Sequence, residues 1–158
     1  MQQLNLVHLE DSDIKYSISR FPDGEVQISL EEFSHKDQIC VECRITNAEE
    51  LFIVTQVLDI LDRHDVCYDV DIFYLMGMRM DRVMDFNRPF TLKVVSTLLS
   101  KSKAHEIRIL EPHSKRIFDL SSIFTEHIDD LLEGFKAGLL SYHQPVLPDA
   151  GAQKRYPN

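Results

Sequence analysis

Four stretches of the chain carry side chains in patterns that could do chemistry. In "GMRMDRVMDFNRPF" the cations Arg79, Arg82 and Arg88 surround Asp81 just past an apolar run. Guanidinium groups present several directed N–H donors, which match the oxygens of a polyphosphate. Read alone, the same run also suits a solvated loop whose arginines and acids neutralise one another. In "RILEPHS" Glu111 and His113 stand two apart after another apolar run. A carboxylate and an imidazole so placed can meet a metal or a polar ligand, but a histidine there is as readily a surface or capping residue. In "RFPDGEV" Phe21 precedes a tight turn in which Asp23 and Glu25 flank Gly24. In isolation a hairpin turn with incidental acids explains that stretch better. Finally, "QPVLPDAGAQKRYPN" runs from an apolar segment through Asp149 and small residues to Lys154 and Arg155. That order usually opens a turn, a phosphate site or a helix.

The composition limits the classes these residues can serve. A chain of 158 residues with 44% hydrophobic content suits one folded domain with a usable core. Its net charge of −9 argues against a general nucleic-acid binder, which needs a basic footprint. A small anionic ligand is not excluded, because a few local arginines and a metal can dominate one site. No run approaches the roughly 18 to 20 apolar residues of a membrane span. The start "MQQLNLVHLEDSD" shows no basic segment followed by an apolar one, so no secretory signal is expected. Cys40 and Cys43 form a lone C-x-x-C on a predicted strand, where they should point to opposite faces. With too few further ligands nearby for zinc, Cys40, Cys43 and Cys67 are expected to be reduced, mostly buried thiols of a cytoplasmic protein.

The elements that must position the four stretches follow from periodicity. "LNLVHL" reads as a strand. "IKYSISRF" and "EVQISL" both alternate, and "PDG" between them predicts a hairpin. "QICVECRI" is a further strand. Asn47 and Glu50 resemble a capping box, and Leu51, Val54, Leu58 and Leu61 repeat at helical spacing as far as His64-Asp65. "VCYDVDIFYLM" predicts an inner strand with Asp69 and Asp71 as exceptions, and Gly77 to Pro89 a loop. Thr91 is placed as the cap of a second helix with Leu92, Val95, Leu98 and Leu99 inward. "EIRILEP" is a strand, 113–122 and 127–140 are largely helical, and "PVL" is a last strand. Strands alternating with helices after Asn47 predict an α/β fold: a largely parallel sheet flanked by helices, with an antiparallel N-terminal strand region. Ligands in such sheets sit beyond the carboxyl ends of the strands. That rule selects the loop after Met76, the Glu111–His113 segment, and Asp149 onward.

Taken together, the stretches resemble a known family, ribose-phosphate pyrophosphokinase, also called phosphoribosyl-pyrophosphate synthetase. "RFPDGEVQISL" is similar to its adenine-binding R-F-[PS]-D-G-E segment. The run from "FYLMGMRMDR" to "LEPHS" resembles its Y-A-R-Q-D-R motif, Pro-initiated helix and strand ending in D-L-H or D-P-H. "VLPDAGAQKR" resembles its S-P-D-x-G-x-x-x-R. Order and spacing agree from about Phe21 to Arg155.

The resemblance implies a phosphoribosyltransferase-like domain and an activity. The β,γ-diphosphoryl group of ATP would pass to the 1-hydroxyl of ribose 5-phosphate or a related 5-substituted ribose, with Mg2+ as cofactor. It implies that Phe21 stacks on adenine while Asp23, Gly24 and Glu25 form the turn whose acids bond the adenine edge. In the family this turn comes from a neighbouring subunit, so a homo-oligomer is implied. Arg79, Met80, Asp81 and Arg82 would line the ATP phosphates and ribose; Met80 replaces the usual Gln. His113, Asp149 and Glu111 would be the magnesium-linked groups, with Glu111 in place of the usual Asp and Gly77 one place off the pattern. The family's catalytic Lys and Arg loop and its D-D-x-x-D-T-G-G-T loop have no counterpart in these residues. The chain therefore reads as the amino-terminal, ATP-side half: a domain over 1–141, then the first strand and turn of a second domain over 142–158. No catalytic residue is expected within it, and turnover by this chain alone is not expected. A non-catalytic subunit that associates with a full-length synthetase is the alternative.

Overall fold

A computed structural model describes residues 1–127. The expectations for a helix over 127–140, the strand "PVL", the domain boundary at 142 and Asp149 lie outside the described residues, except that His127 itself ends a strand.

The chain begins with strand β1 (Gln2–Asn5). The predicted strand over "LNLVHL" is cut short because the Asn5 side-chain carbonyl accepts from the backbone N–H of Val7 and His8, at 2.9 and 2.7 Å. That bond pattern turns the chain out of the ladder. The hairpin forms as predicted, from β2 (Tyr16–Arg20) and β3 (Val26–Leu30), antiparallel with Ile18 opposite Ile28. Then come β4 (Ile39–Ile45), α1 (Ala48–His64), β5 (Tyr68–Leu75), α2 (Thr91–Leu99), β6 (Glu106–Leu110), α3 (Arg116–Leu120) and β7 (Phe124–His127).

The five parallel strands lie in the order β1-β4-β5-β6-β7. Each new strand is added on the same side of the last, so right-handed crossovers put α1, α2 and α3 on one face. The core agrees. Val41, Cys43, Val70, Ile72, Ile107 and Ile109 share one buried cluster with Val54, Val57 and Leu61 of α1 and Leu92, Val95 and Leu99 of α2. The alternate strand positions, Cys40, Asp69, Asp71, Glu106 and Arg108, point to the other face and pair with one another. Cys40 and Cys43 therefore do face opposite ways. Both are buried, whereas Cys67 is exposed, against expectation, and all are free thiols.

Helix α1 starts with Asn47 accepting from Glu50 N–H at 3.0 Å, while Glu50 takes the N–H and hydroxyl of Thr46 at 2.6 and 2.8 Å. It ends at Asp65, in the left-handed region at φ 53°. Three expectations need correction. Thr91 is the first residue of α2 rather than its cap; Phe90 precedes the helix, and the Thr91 hydroxyl instead meets the Met80 sulfur at 3.4 Å. Leu98 is 44% exposed, because Leu92, Val95 and Leu99 already define the inward stripe. The helix expected over 113–122 shrinks to Arg116–Leu120, and Phe124–His127 is a strand where none was predicted. It completes the ladder of β6, with Ile107 opposite Phe124, yet "FTEH" has only one apolar residue to announce it.

Candidate functional site at the carboxyl edge of the sheet

The connections after β5 and β6 leave the sheet at its carboxyl edge and meet there. After β5, Met76 N–H extends the ladder by donating to Ile45 carbonyl at 2.7 Å. A bulge precedes it: Cys43 pairs with Ile72 but Arg44 with Tyr74, leaving Phe73 as the extra residue. Such bulges re-aim the strand end and are frequent beside sites. Gly77 follows at φ +85°, and a side chain there would meet Leu92 N at 3.4 Å. Only glycine holds that conformation cheaply, so the turn beds tightly on the start of α2. Met80 N–H closes it on Gly77 carbonyl at 2.8 Å, and Leu92 N–H donates to Met80 carbonyl at 3.1 Å. This fixes the backbone of residues 77–80 while the Arg79 side chain stays exposed.

The connection after β6 comes to meet it. Glu111 is left-handed at φ 43°, an uncommon conformation for a non-glycine residue. Ser114, nearly buried, donates its hydroxyl to the Asp81 carboxylate at 2.8 Å and accepts Arg116 N–H at 3.3 Å. Arg116 Nη1 also reaches Asp81 carbonyl at 3.4 Å. The two loops are thus joined through Asp81, which is 27% exposed, with Arg82 3.8 Å away. Glu111 and His113 project into solvent beside them. Among the described residues, Arg79, Glu111 and His113 make no side-chain hydrogen bond or ion pair. The sequence pattern marked Asp81 and passed over Ser114; a small hydroxyl residue after a strand carries no signal of its own.

The hairpin turn stands apart. Phe21 N–H donates to Glu25 carbonyl, Gly24 N–H to Phe21 carbonyl, and Glu25 N–H to the Asp23 carboxylate at 3.2 Å. Gly24 takes φ +95°, which the turn requires. Arg20 anchors the turn to α1 through Glu49 at 2.6 Å, and the Gln56 side-chain amide clasps the β3 backbone at Val26 and Ile28. Phe21 is half-exposed. Among the described residues no hydrogen bond or ion pair links Phe21, Asp23, Gly24 or Glu25 to the arginine loop or to Glu111 and His113. The fold therefore brings two of the predicted segments together and mounts the third on α1.

The same edge has a recess absent from the sequence reading. A cavity of about 360 Å3 opens between Leu6, Val7, Arg44, Thr46 and Glu50. Burial works to raise the Glu50 carboxyl, but the Thr46 N–H and hydroxyl, then Asn47 and Arg44, outweigh it and hold Glu50 below the usual carboxylate range.

No family model matches the chain. Ribose-phosphate pyrophosphokinase from Bacillus caldolyticus is 30% identical over 147 residues, 89% of this chain and 47% of that protein. The chain belongs to the ribose-phosphate pyrophosphokinase family. The enzyme of that name from Halalkalibacterium halodurans is likewise 30% identical over 147 residues, 89% of this chain and 46% of the relative. The chain spans about half the length of the curated relatives it matches. A crystal structure of phosphoribosylpyrophosphate synthetase from Mycobacterium smegmatis has the same fold, with a TM-score of 0.71 at 16% identity, over 87% of this chain and 52% of that one. Met80, whose side chain is about half exposed, touches the start of α2 through its sulfur and its backbone carbonyl. No helix of the described residues is long and apolar enough to cross a membrane.

Proposed function

We propose that the chain supplies the ATP side of a diphosphoryl transfer to ribose 5-phosphate or a related 5-substituted ribose. The acceptor's 1-hydroxyl oxygen bonds to the β-phosphorus, the bond from that phosphorus to the α,β-bridging oxygen breaks, and AMP leaves with that oxygen. The hydroxyl proton goes to solvent or a base. The observation that carries the reading is the Ser114–Asp81 hydrogen bond. It holds two sheet-edge loops together and leaves Arg79 and Arg82 as exposed donors on one side and Glu111 and His113 on the other.

In this arrangement Arg79 and Arg82 bind phosphate oxygens, and Asp81 keeps the loop backbone in place. Magnesium, bound with the triphosphate, would neutralise and align it. Glu111 offers a hard oxygen donor of the kind that cation takes, with His113 beside it toward the phosphate shell. Asp149, the third group of that set, lies outside the described residues. Phe21, Asp23 and Glu25 present a half-exposed ring and two acids suited to an adenine face and edge. Because their turn is mounted on α1 rather than on the arginine loop, they are assigned to the nucleotide of a second copy, in a homo-oligomer. We assign the reaction to the cytoplasm, a reducing compartment in which Cys40, Cys43 and Cys67 would stay thiols.

Calorimetry with Mg-ATP tests the reading. The chain should bind weakly, and Arg79→Ala should abolish the heat while leaving the circular dichroism spectrum unchanged. A silent wild type would sink the proposal and favour the non-catalytic, associating role. The acceptor is settled by AMP release from the longest natural form, with ribose 5-phosphate and other ribosyl acceptors side by side.

A further inference from the structure

At the opposite end of α1 from the candidate nucleotide site, two histidines distant in sequence meet. His64 is the last residue of α1, and His35 lies in the connection between β3 and β4. Their ring centroids are 4.9 Å apart, with the planes tilted by 55°. Phe33 holds both: it stacks on His35 at 5.2 Å and meets His64 edge-on at 5.3 Å. The three rings border an open cavity of about 480 Å3, with Leu30 and Ile60 as apolar wall and Glu31 and Glu32 on its rim. Among the described residues, none of these four ionisable side chains makes a hydrogen bond or ion pair.

We propose that His35 and His64 form a binding site for a divalent cation of the zinc, nickel and copper class. Imidazole selects such borderline cations over magnesium or calcium, which prefer oxygen ligands. The spacing fits. With a metal–nitrogen bond of about 2.0–2.1 Å, each ring centroid lies about 3.2 Å from the ion, so two ligating rings are about 4.5 Å apart at a right angle and about 5.2 Å apart at the tetrahedral angle. The observed 4.9 Å falls between these limits. The tilt of 55° is far from a parallel stack, in which both rings would turn their faces rather than their nitrogens toward each other. Glu31 and Glu32 line the same cavity and raise the local concentration of cations, while water fills the remaining positions around the ion. Sequence offered no sign of this pair, because the two residues belong to no spaced motif.

The consequence is a clasp. An ion shared by His35 and His64 would tie the carboxyl end of α1 to the β3–β4 connection. The inference is independent of nucleotide binding, which His35 and His64 variants should leave unchanged.

The test is titration of the untagged full chain with zinc chloride or nickel chloride in a non-chelating buffer, followed by calorimetry. The expected result is one ion per chain, with affinity reduced about tenfold or more in both His35→Ala and His64→Ala. His8→Ala serves as the control, because exposed His8, Glu10 and Asp11 form a separate cluster of donors. Its affinity should match the wild type. A variant-free measurement accompanies it: nickel should broaden the ring resonances of two histidines in contact with each other. Silence in the wild type, undiminished binding in the His35→Ala/His64→Ala double variant, or broadening confined to other histidines would each overturn the proposal.

Discussion

Replacing Arg108 by Met should destabilise the chain by about 3 kcal/mol, within the roughly 3–5 kcal/mol range for breaking a buried ion pair and close to its lower end. Arg108 lies on the sheet face away from the helices. Its Nε sits 2.5 Å from Asp71 Oδ1, and its Nη1 is 3.4 Å from Asp69 and 3.5 Å from Glu106. The two aspartates are only 10% and 12% exposed, and Arg108 is 27% exposed. Methionine keeps most of the aliphatic stem, so packing is largely retained and the loss isolates the charge. What remains is a pair of nearly buried carboxylates on one face of β5, Asp71 with only the Cys40 thiol and Asp69 with the Gln38 amide and the exposed His105 ring. Partial exposure of the guanidinium lets water relieve some of the cost, which sets the lower end. In urea, with a slope of about 2 kcal/mol per molar, the midpoint should fall by about 1.5 M. Adding Asp71→Asn to the Arg108→Met variant should restore at least about 1 kcal/mol, because the two groups share one interaction. A midpoint shift below about 0.3 M, or strict additivity of the two substitutions, would refute the reasoning.

Other expectations test the site and its supports. Ser114→Ala removes a hydrogen bond to a mostly buried carboxylate, so Mg-ATP affinity should drop about 5- to 30-fold, corresponding to about 1–2 kcal/mol, with little change in the urea midpoint; an unchanged affinity would detach Asp81 from nucleotide binding. The folded pKa of Glu50 is lowered, so its contribution is complete above the unfolded value near 4.3 and disappears as pH falls through the folded one. Wild type should therefore lose stability faster than Glu50→Gln between about pH 5 and 3, and parallel curves would contradict the cap geometry. Burial first, and Asp71 next, push the Cys40 thiol up to about 12, while Cys67 is exposed. A thiol reagent at pH 8 should modify Cys67 quickly and the other two only on unfolding; rapid labelling of all three would show that β4 opens readily.

The hairpin, helix α1 and the inner strand β5 were legible in the sequence because each depends on short-range chemistry. An Asp-Gly turn needs only its own residues, and the Asn47–Glu50 cap acts across three positions. The arginine motif and the "EPHS" segment were legible for the same reason: both follow strands directly, and strand ends locate the binding edge of a parallel sheet.

What the sequence determined by itself was therefore the kind of most major elements, the parallel arrangement and the segments that stand at the carboxyl edge of the sheet. Tertiary structure alone decided which of those segments meet. Ser114 reaches Asp81 across 33 positions, and Arg108 reaches Asp71 across 37, only because strand register sets them side by side. Register also makes a strand of "FTEH", whose backbone gains partners from β6 that its side chains do not advertise. It likewise turns Asp69 and Asp71 from apparent faults in an apolar strand into the acids that Arg108 requires. These pairings are non-local. Their energy comes from groups that share no neighbourhood along the chain, so local pattern carries no trace of them until the sheet closes.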